Sequence, residues 1–310
     1  IPEALSSIVT IVQAMGTQKM AREHAIIKEL KAVESLGCVS VICSDKTGTL
    51  TQNKMTVQNI YVNNETISID RLDLRNQLHR YLLYDAILTN DSSIVDGKGI
   101  GDPTEFALVE MGRKATVDEN LLRELMPRLE EIPFDSDRKL MSTKYELHDV
   151  PTVLTKGALD VLLDRTANIR LEDGIREITQ ADKDAILQKN LEFSQEGLRV
   201  LAFGYKEVPE DYTLSLDNEN GFTFLGLISM MDPPREESKA AVADAKRAGI
   251  KPVMITGDHK ITATAIAKQI GIFEEGDIAM TGRELDAMTE EELDKDITSI
   301  SVYARVSPEN

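Results

Sequence analysis

The stretch SVICSDKTGTLT ends an apolar run abruptly at a carboxylate. Residues 39–43 favour a strand, and Asp45 follows with a lysine and a cluster of Thr and Gly. A second apolar run ends at Thr256, Gly257 and Asp258. A carboxylate beside a hydroxyl and Gly-rich backbone suits nucleophilic attack on a phosphoryl group. An Asx-capped turn would explain one Asp alone, but the two junctions together favour a phosphoryl site.

The two junctions can share a site only if their strands lie side by side. From residue 226 onward, apolar strands alternate with helices across short loops, which is typical of βαβ units in a doubly wound parallel sheet. Ligands of such sheets gather at the carboxyl ends of the strands, so we expect Asp45 and Thr256 at one edge of one sheet. Gly48 and Gly257 would let the backbone approach phosphate oxygens closely.

The middle of the chain, residues 58–225, lacks this alternation. It is predicted to be a separate α+β domain inserted after the first strand. A hairpin is expected around Asn63 and Asn64, within the run IYVNNETISI. Helices are predicted over residues 17–35, 72–90, 102–113 and 180–196.

Composition limits the setting and the partners. The 310 residues include 35 basic and 53 acidic ones, and the net charge of −18 argues against nucleic acid as a partner. Cys38 and Cys43 lie in or beside one strand, too far apart to bridge, so we expect reduced thiols and a cytosolic setting. Residues 1–16 are apolar but shorter than the ~20 residues that span a bilayer. They fit either an amphipathic helix packed on a core or the end of a longer membrane helix.

The heptapeptide DKTGTLT resembles the phosphorylation motif of P-type ATPases, a branch of the haloacid-dehalogenase-like phosphotransferases. Other motifs of that family follow in the family's order: GDPTE (101–105), PFDSDRKLMS (133–142), KGA (156–158), GLRVLAF (197–203), DPPR (232–235), TGD (256–258) and ARVSPEN (304–310). The likeness covers essentially the whole chain.

The resemblance implies an α/β fold with a haloacid-dehalogenase-like, doubly wound parallel sheet and an inserted α+β nucleotide-binding domain. The phosphorylation domain would comprise residues 36–57 and 226–310, and the nucleotide-binding domain residues 58–225. Residues 1–16 would be the end of a transmembrane helix, and residues 17–35 a stalk helix.

The resemblance also implies roles for matching residues. Asp45 would accept the γ-phosphoryl group of ATP, and Asp45 and Thr47 would hold Mg²⁺. Phe134 would stack on adenine, with Glu105 at the amino edge of the base. The implied catalytic residues are Asp45, Lys46, Thr47, Thr256, Gly257 and Asp258, and the implied nucleotide-binding residues are Glu105, Phe134, Lys139, Lys156, Gly157, Arg199, Asp232, Arg235 and Arg305.

Some features of the family are altered or absent. Ser136 stands where calcium pumps often carry Arg, so one nucleotide contact is expected to be missing. The family's TGES actuator loop does not occur in the chain, and the GDGVND stretch would follow Asn310. The chain is therefore expected to be a cytosolic fragment, on the cytoplasmic face of a membrane. It would bind ATP, lack full turnover, and work with the actuator domain and membrane helices of an intact pump.

The transported ion is suggested by the run IPEAL, which resembles the PEGL of calcium and sodium/potassium pumps. Glu3 would then be a cation ligand in the intact protein. The Cys-Pro-Cys motif of heavy-metal pumps does not occur. Calcium is the first choice, and sodium/potassium-like or manganese transport is the alternative.

Two other functions remain open. A soluble haloacid-dehalogenase-like phosphatase would place a second Asp two residues after the nucleophile, where this chain has Thr47. Threonine has no titratable group near neutral pH, so an aspartyl phosphate at Asp45 should persist. The chain could instead be a nucleotide-binding module only. A P-loop NTPase is disfavoured because no GxxxxGK[ST] sequence occurs.

Overall fold

The computed structural model describes residues 4–29, 32–95 and 98–306. In these residues the strands are β1 (Val41–Asp45), β2 (Thr56–Val62), β3 (Glu65–Ser68), β4 (Ser93–Val95), β5 (Lys98–Ile100), β6 (Glu130–Ile132), β7 (Leu140–Leu147), β8 (Val150–Gly157), β9 (Thr166–Leu171), β10 (Gly174–Glu177), β11 (Arg199–Glu207), β12 (Phe222–Met231), β13 (Lys251–Thr256), β14 (Ile278–Thr281) and β15 (Ile300–Ala304). The helices are α1 (Ala4–Arg22), α2 (Ala32–Leu36), α3 (Gln77–Leu88), α4 (Pro103–Lys114), α5 (Glu119–Leu125), α6 (Leu159–Asp164), α7 (Gln180–Gln195), α8 (Glu236–Arg247), α9 (Lys260–Ile270), α10 (Gly282–Asp286) and α11 (Glu290–Asp296).

A parallel sheet of four strands has the order β1-β13-β15-β14. Helices α8 and α9 pack against it, and their apolar faces bury Val242, Ile266 and Ile270 with Met254 and Val302 of the sheet. The first strand is joined to this sheet although most of the chain separates β1 from β13. The predicted βαβ alternation is therefore present, and the mixed α/β class is confirmed.

A second sheet has nine strands, in the order β10-β9-β12-β11-β8-β7-β6, with β2 paired to β12 and β3. Its neighbours are antiparallel except for β9 and β12. Helices α3, α4 and α5 contribute to the core on one face, and α6 and α7 to the core on the other. Because helices cover both faces, the central strands are largely buried, and they contain polar residues such as Thr155 and Lys156 as well as apolar ones.

Strand β12 corrects the prediction that residues from 226 onward belong to the parallel sheet. It lies inside the nine-stranded sheet, antiparallel to β11 and β2. All but its last residue are buried, and a strand buried on both faces has the same continuous apolar pattern in either kind of sheet. The predicted boundaries at 57/58 and 225/226 fall inside β2 and β12. The chain crosses between the two sheets next to Thr51 and Pro234, which form an isolated bridge.

The helix predicted over residues 17–35 is interrupted after Arg22, and helix begins again only at Ala32. Helix α1 ends at Arg22, and His24 adopts a left-handed conformation with φ of 62°. Ala25 N donates to Met20 O and His24 N to Ala21 O, which is a Schellman termination. None of the helices in the described ranges is both long and apolar enough to cross a membrane.

The predicted hairpin around Asn63 and Asn64 is confirmed. It joins β2 to β3, and both turn residues have positive φ, 54° and 60°, as a type I′ turn requires. Helices α3 and α7 lie within the predicted ranges, and α4 extends one residue beyond its range, to Lys114. Strands β4 and β5 pair antiparallel with each other, apart from the two larger sheets.

Candidate functional site

Asp45 and Thr256 lie at the carboxyl ends of neighbouring parallel strands. Asp45 ends β1 and is paired in register with Ile255, one residue before Thr256. Asp45 is exposed, and its Oδ1 accepts a hydrogen bond from Thr47 N at 3.3 Å. Thr256 is buried, and its Oγ1 accepts from Asp258 N at 3.1 Å. The structure thus brings the two junctions together at one sheet edge.

Lys46 and Asp258 join the two strand ends through an ion pair. Lys46 Nζ lies 2.5 Å from Asp258 Oδ2, and the lysine side chain is only 8% exposed. Asp258 O also accepts a hydrogen bond from Arg305 N at 3.1 Å. A cation held beside the exposed Asp45 can stabilise negative charge arriving there. Gly48 has φ of 75°, a conformation that favours glycine in this turn.

Asp232 and Arg235 form hydrogen bonds with the segment that follows the Asp45 turn. Asp232 Oδ2 accepts from Thr51 Oγ1 at 2.5 Å, and its Oδ1 accepts from Lys54 N at 3.0 Å. Arg235 donates to Thr51 O and Gly48 O, each at 3.0 Å. Both residues therefore lie next to the sheet edge that carries Asp45 and hold the two crossovers together. Their contact with a nucleotide stays a prediction.

Glu105 and Lys156 form the centre of a second group, on the α4 face of the nine-stranded sheet. Asp102 caps α4 by accepting from Thr104 N and Glu105 N. Lys156 Nζ lies 2.5 Å from Glu105 Oε1, and burial lowers the pKa of Lys156 while the charge of Glu105 opposes that shift. Arg199 reaches the same helix end, donating to Thr104 Oγ1 at 3.2 Å. Three of the predicted nucleotide-binding residues are therefore assembled.

Asp85 lies near this group and was missed by sequence reasoning. It is fully buried on α3, and its Oδ1 accepts from Thr89 Oγ1 at 2.9 Å. Burial raises the pKa of Asp85 well above its ordinary value, and the charge of Lys156 opposes the shift. The sequence signal that could have indicated a buried carboxylate is the single acidic residue inside the apolar run YLLYDAIL.

The loop 133–139 carries Phe134 and Lys139. Phe134 is 58% exposed, so its ring is available to a ligand. Lys139 has φ of 58°, and its carbonyl accepts from Ala158 N at 3.0 Å. A Cβ on Gly157 would lie 2.1 Å from that carbonyl. The missing side chain at Gly157 thus lets the loop pack on the end of β8, close to Lys156.

Gly157→Ala is expected to lower the free energy of unfolding by about 1–3 kcal/mol, because the new methyl group forces Lys139 O away. Urea denaturation measures the loss. Gly257→Ala is the matched control, since a Cβ there would meet no atom within 4 Å, and it should change stability by less than about 0.5 kcal/mol. Equal stability of both variants would contradict the close packing of the loop.

The oxygens near Asp45 fit a magnesium ion. Among the described residues, the one hydrogen bond that the Asp45 carboxylate accepts comes from Thr47, so most of its lone pairs remain available. Mg²⁺ is commonly bound through one or two carboxylates, with water and phosphate oxygens completing the shell. No cluster of three or more His, Cys, Asp or Glu side chains suited to a metal occurs in the described part of the chain. Glu3, the predicted cation ligand, lies outside the described residues.

The comparisons with known proteins identify the family of the chain. The chain belongs to the P-type ATPases: the family model for the P-type ATPase cytoplasmic domain N matches residues 79–237. It is 52% identical to a calcium-transporting ATPase of Listeria monocytogenes, over 100% of the chain and 36% of the relative. It is also 52% identical to calcium-transporting ATPase 1 of Lactococcus lactis, over 100% of the chain and 35% of the relative. A cation-transporting ATPase of Synechocystis is 41% identical over 99% of the chain and 37% of the relative.

The chain therefore spans about a third of the length of the curated relatives it matches. The matched model begins in α3 and ends in α8, so it includes both Glu105 and Lys156 but not Asp45.

Proposed function

We propose that this chain is the nucleotide-binding and phosphoryl-accepting part of an ATP-driven cation pump. The observation that carries the proposal is the meeting of Asp45, Thr256 and the Lys46–Asp258 ion pair at one edge of the parallel sheet. The parallel sheet is then a haloacid-dehalogenase-like phosphorylation domain, and the nine-stranded sheet with its helices is the inserted nucleotide-binding domain. Asp45 is an exposed carboxylate at the end of β1, at the position where the family resemblance puts the phosphoryl acceptor.

In the proposed reaction the Asp45 carboxylate attacks the γ-phosphorus of ATP. The bond to the β,γ-bridging oxygen breaks, ADP leaves, and the phosphoryl group stays on Asp45 as an aspartyl phosphate. Lys46 and the Thr256 hydroxyl supply positive charge and a hydrogen bond to the phosphoryl oxygens, with Gly257 allowing close approach. Mg²⁺, held by Asp45 and the Thr47 carbonyl, would neutralise phosphate charge when bound.

The nucleotide is proposed to lie between the loop 133–139 and the N-terminal end of α4. Phe134 stacks on adenine, and Glu105 accepts from its amino group. The cations that hold the rest of the nucleotide are Lys139, Lys156 and Arg199, while Asp232, Arg235 and Arg305 line its path toward Asp45. Because Glu105 and Lys156 are paired with each other, adenine binding must share or displace that contact.

Phe134→Ala is expected to weaken ATP binding about tenfold, because stacking on an aromatic ring contributes about 1–3 kcal/mol per base. Lys139→Ala is expected to weaken it by a similar factor, because it removes a cation proposed to hold the nucleotide. Calorimetric titration of the 310-residue chain with ATP measures the dissociation constants. Lys295→Ala removes an exposed lysine on α11, far along the chain from the loop, and should leave the affinity unchanged. If neither Phe134→Ala nor Lys139→Ala differed from that control, the proposed nucleotide site would be wrong.

The transported ion is proposed to be calcium, because two of the relatives above are named calcium-transporting ATPases. Sodium/potassium-like or manganese transport is the alternative. Helix α1 exposes several apolar side chains, among them Ile8, Ile11 and Val12, which suits the proposal that residues 1–16 end a membrane helix. Transport by the full-length pump with Glu3 replaced, assayed with calcium, sodium and manganese, tests the ion.

A further inference from the structure

Glu219 is a carboxylate with no exposed surface, held between two arginines. Its side chain is 0% exposed, and Arg138 Nη1 lies 2.5 Å from its Oε1. Arg165 Nη1 lies 2.9 Å from its Oε2 and also donates to its backbone carbonyl at 3.1 Å. Ser142 Oγ donates to Oε1 at 2.6 Å. A buried carboxylate is stable only when its oxygens are satisfied in this way.

Arg138 differs from Arg165 in where it lies. Arg138 belongs to the loop 133–139, between Phe134 and Lys139, whereas Arg165 follows α6. The second nitrogen of Arg138, Nη2, donates to Pro133 O. The Arg138 guanidinium thus connects Pro133, at the start of the loop, to the buried carboxylate of Glu219, 81 positions away in sequence. The Arg138 side chain is only 12% exposed.

The other hydrogen bonds of the loop lie within residues 135–138 or at its last residue, Lys139. Asp135 Oδ1 accepts from the backbone N–H of Asp137 and of Arg138, at 3.0 and 2.8 Å. Lys139 O accepts from Ala158 N. These bonds shape the turn, but the Arg138 fork is the side-chain contact by which the loop is bonded to the segment that carries Glu219.

The segment that carries Glu219 is itself well fixed. Ser215 N donates to Asn218 Oδ1 at 2.9 Å. Lys206 Nζ, from β11, donates to Asn218 O at 2.5 Å and to Asn220 O at 2.9 Å. Glu219 therefore sits in a segment bonded to the nine-stranded sheet and can act as a rigid reference for the loop.

We propose that Glu219 and Arg138 are positioning residues for the nucleotide: their buried ion pair holds the loop 133–139 so that Phe134 and Lys139 face the ligand. The inference rests on the proposed function, because it concerns the same nucleotide site. In this proposal neither residue binds the nucleotide itself, and both act through the loop. A planar guanidinium can serve the carboxylate and Pro133 O together, whereas an ammonium is a point charge on a flexible stem and cannot reproduce that fork.

Arg138→Lys in the 310-residue chain is expected to raise the dissociation constant for ATP about fivefold to twentyfold, because the loop loses its fixed orientation. Arg165→Lys is the matched control. It removes the other guanidinium from the same carboxylate but lies outside the loop, so ATP affinity should stay within about twofold of the unchanged chain. Calorimetric titration gives the affinities, and thermal unfolding of each variant checks that it is folded.

A double variant separates positioning from general loss of stability. In a Phe134→Ala background, Arg138→Lys should weaken ATP binding by less than it does alone, because the group that it positions is already missing. Glu219→Gln keeps the shape of the side chain but removes its charge, and should reproduce the Arg138→Lys loss. Equal affinity losses for Arg138→Lys and Arg165→Lys, or full additivity with Phe134→Ala, would overturn the inference.

The two proposals fail in different ways. If Phe134→Ala and Lys139→Ala leave ATP binding unchanged, the nucleotide site itself is wrong, and the positioning role falls with it. If those variants weaken binding while Arg138→Lys and Glu219→Gln do not, the nucleotide site stands and Arg138 with Glu219 is only a structural ion pair.

Discussion

Asp45→Asn is expected to abolish phosphoenzyme formation in the intact pump of which we propose this chain is a part. With γ-labelled ATP, acid-stable label on the protein should fall by more than about 10³-fold, the scale of loss when a nucleophile is removed. The amide is similar in size to the carboxylate but is a poor nucleophile and carries no charge for Mg²⁺. Asp45 is exposed at the sheet edge, so the substitution should leave the fold and ATP binding intact.

The labelling is read after acid quenching and separation of the protein from free nucleotide. Asp70→Asn replaces another exposed aspartate, in the short turn Ile69–Arg71, and should label normally. ATP titration of the Asp45→Asn chain provides a second control, because binding without labelling isolates the chemical step. Equal labelling of Asp45→Asn and the unchanged protein would refute the assignment of Asp45 as phosphoryl acceptor.

Thr47→Asp is expected to shorten the lifetime of the phosphoenzyme by about 10²–10³-fold, the range that a positioned general acid or base contributes. Thr47 follows Asp45 by two residues, where a haloacid-dehalogenase-like phosphatase carries its second Asp, and its N–H donates to Asp45 Oδ1. We therefore expect a carboxylate at this position to reach the phosphoryl group. It could then take a proton from attacking water. The lifetime is measured by chasing labelled phosphoenzyme with unlabelled ATP and following the decay of the label.

Thr47→Asn separates proton transfer from a change of shape, because an amide of the same size cannot titrate near neutral pH. It should decay at nearly the rate of the unchanged protein. A similar lifetime for Thr47→Asp and Thr47→Asn would mean that Thr47 does not determine persistence. The distinction from a haloacid-dehalogenase-like phosphatase would then have to rest on other residues.

Much of the candidate site could be predicted from the sequence because its chemistry is local. The heptapeptide DKTGTLT and the TGD at residues 256–258 each follow a strand, and strand ends at one edge of a parallel sheet must be neighbours. That rule predicts that Asp45 and Thr256 lie at the same edge of the sheet. Asn63 and Asn64 are another local case, because the side chains themselves favour positive φ.

Strand β12 could not be assigned from the sequence alone. Its ten residues (Phe222–Met231) form an apolar run that fits a parallel or an antiparallel sheet equally well. Only the pairing with β11 and β2 decides between them. The break after α1 could not be predicted either. Helix-forming residues lie on both sides of His24, so the sequence gives no sign of its left-handed conformation.

The sequence by itself determined the mixed α/β class, the residues that we propose carry phosphoryl chemistry, and the order in which the segments of the site occur along the chain. Tertiary structure decided which distant polar groups meet. Glu219 pairs with Arg138 across 81 positions, and Glu105 meets Lys156 across 51. The reason is physical: strand ends and turns follow from local backbone preferences. The partner of a buried charge is fixed only when packing removes both groups from water.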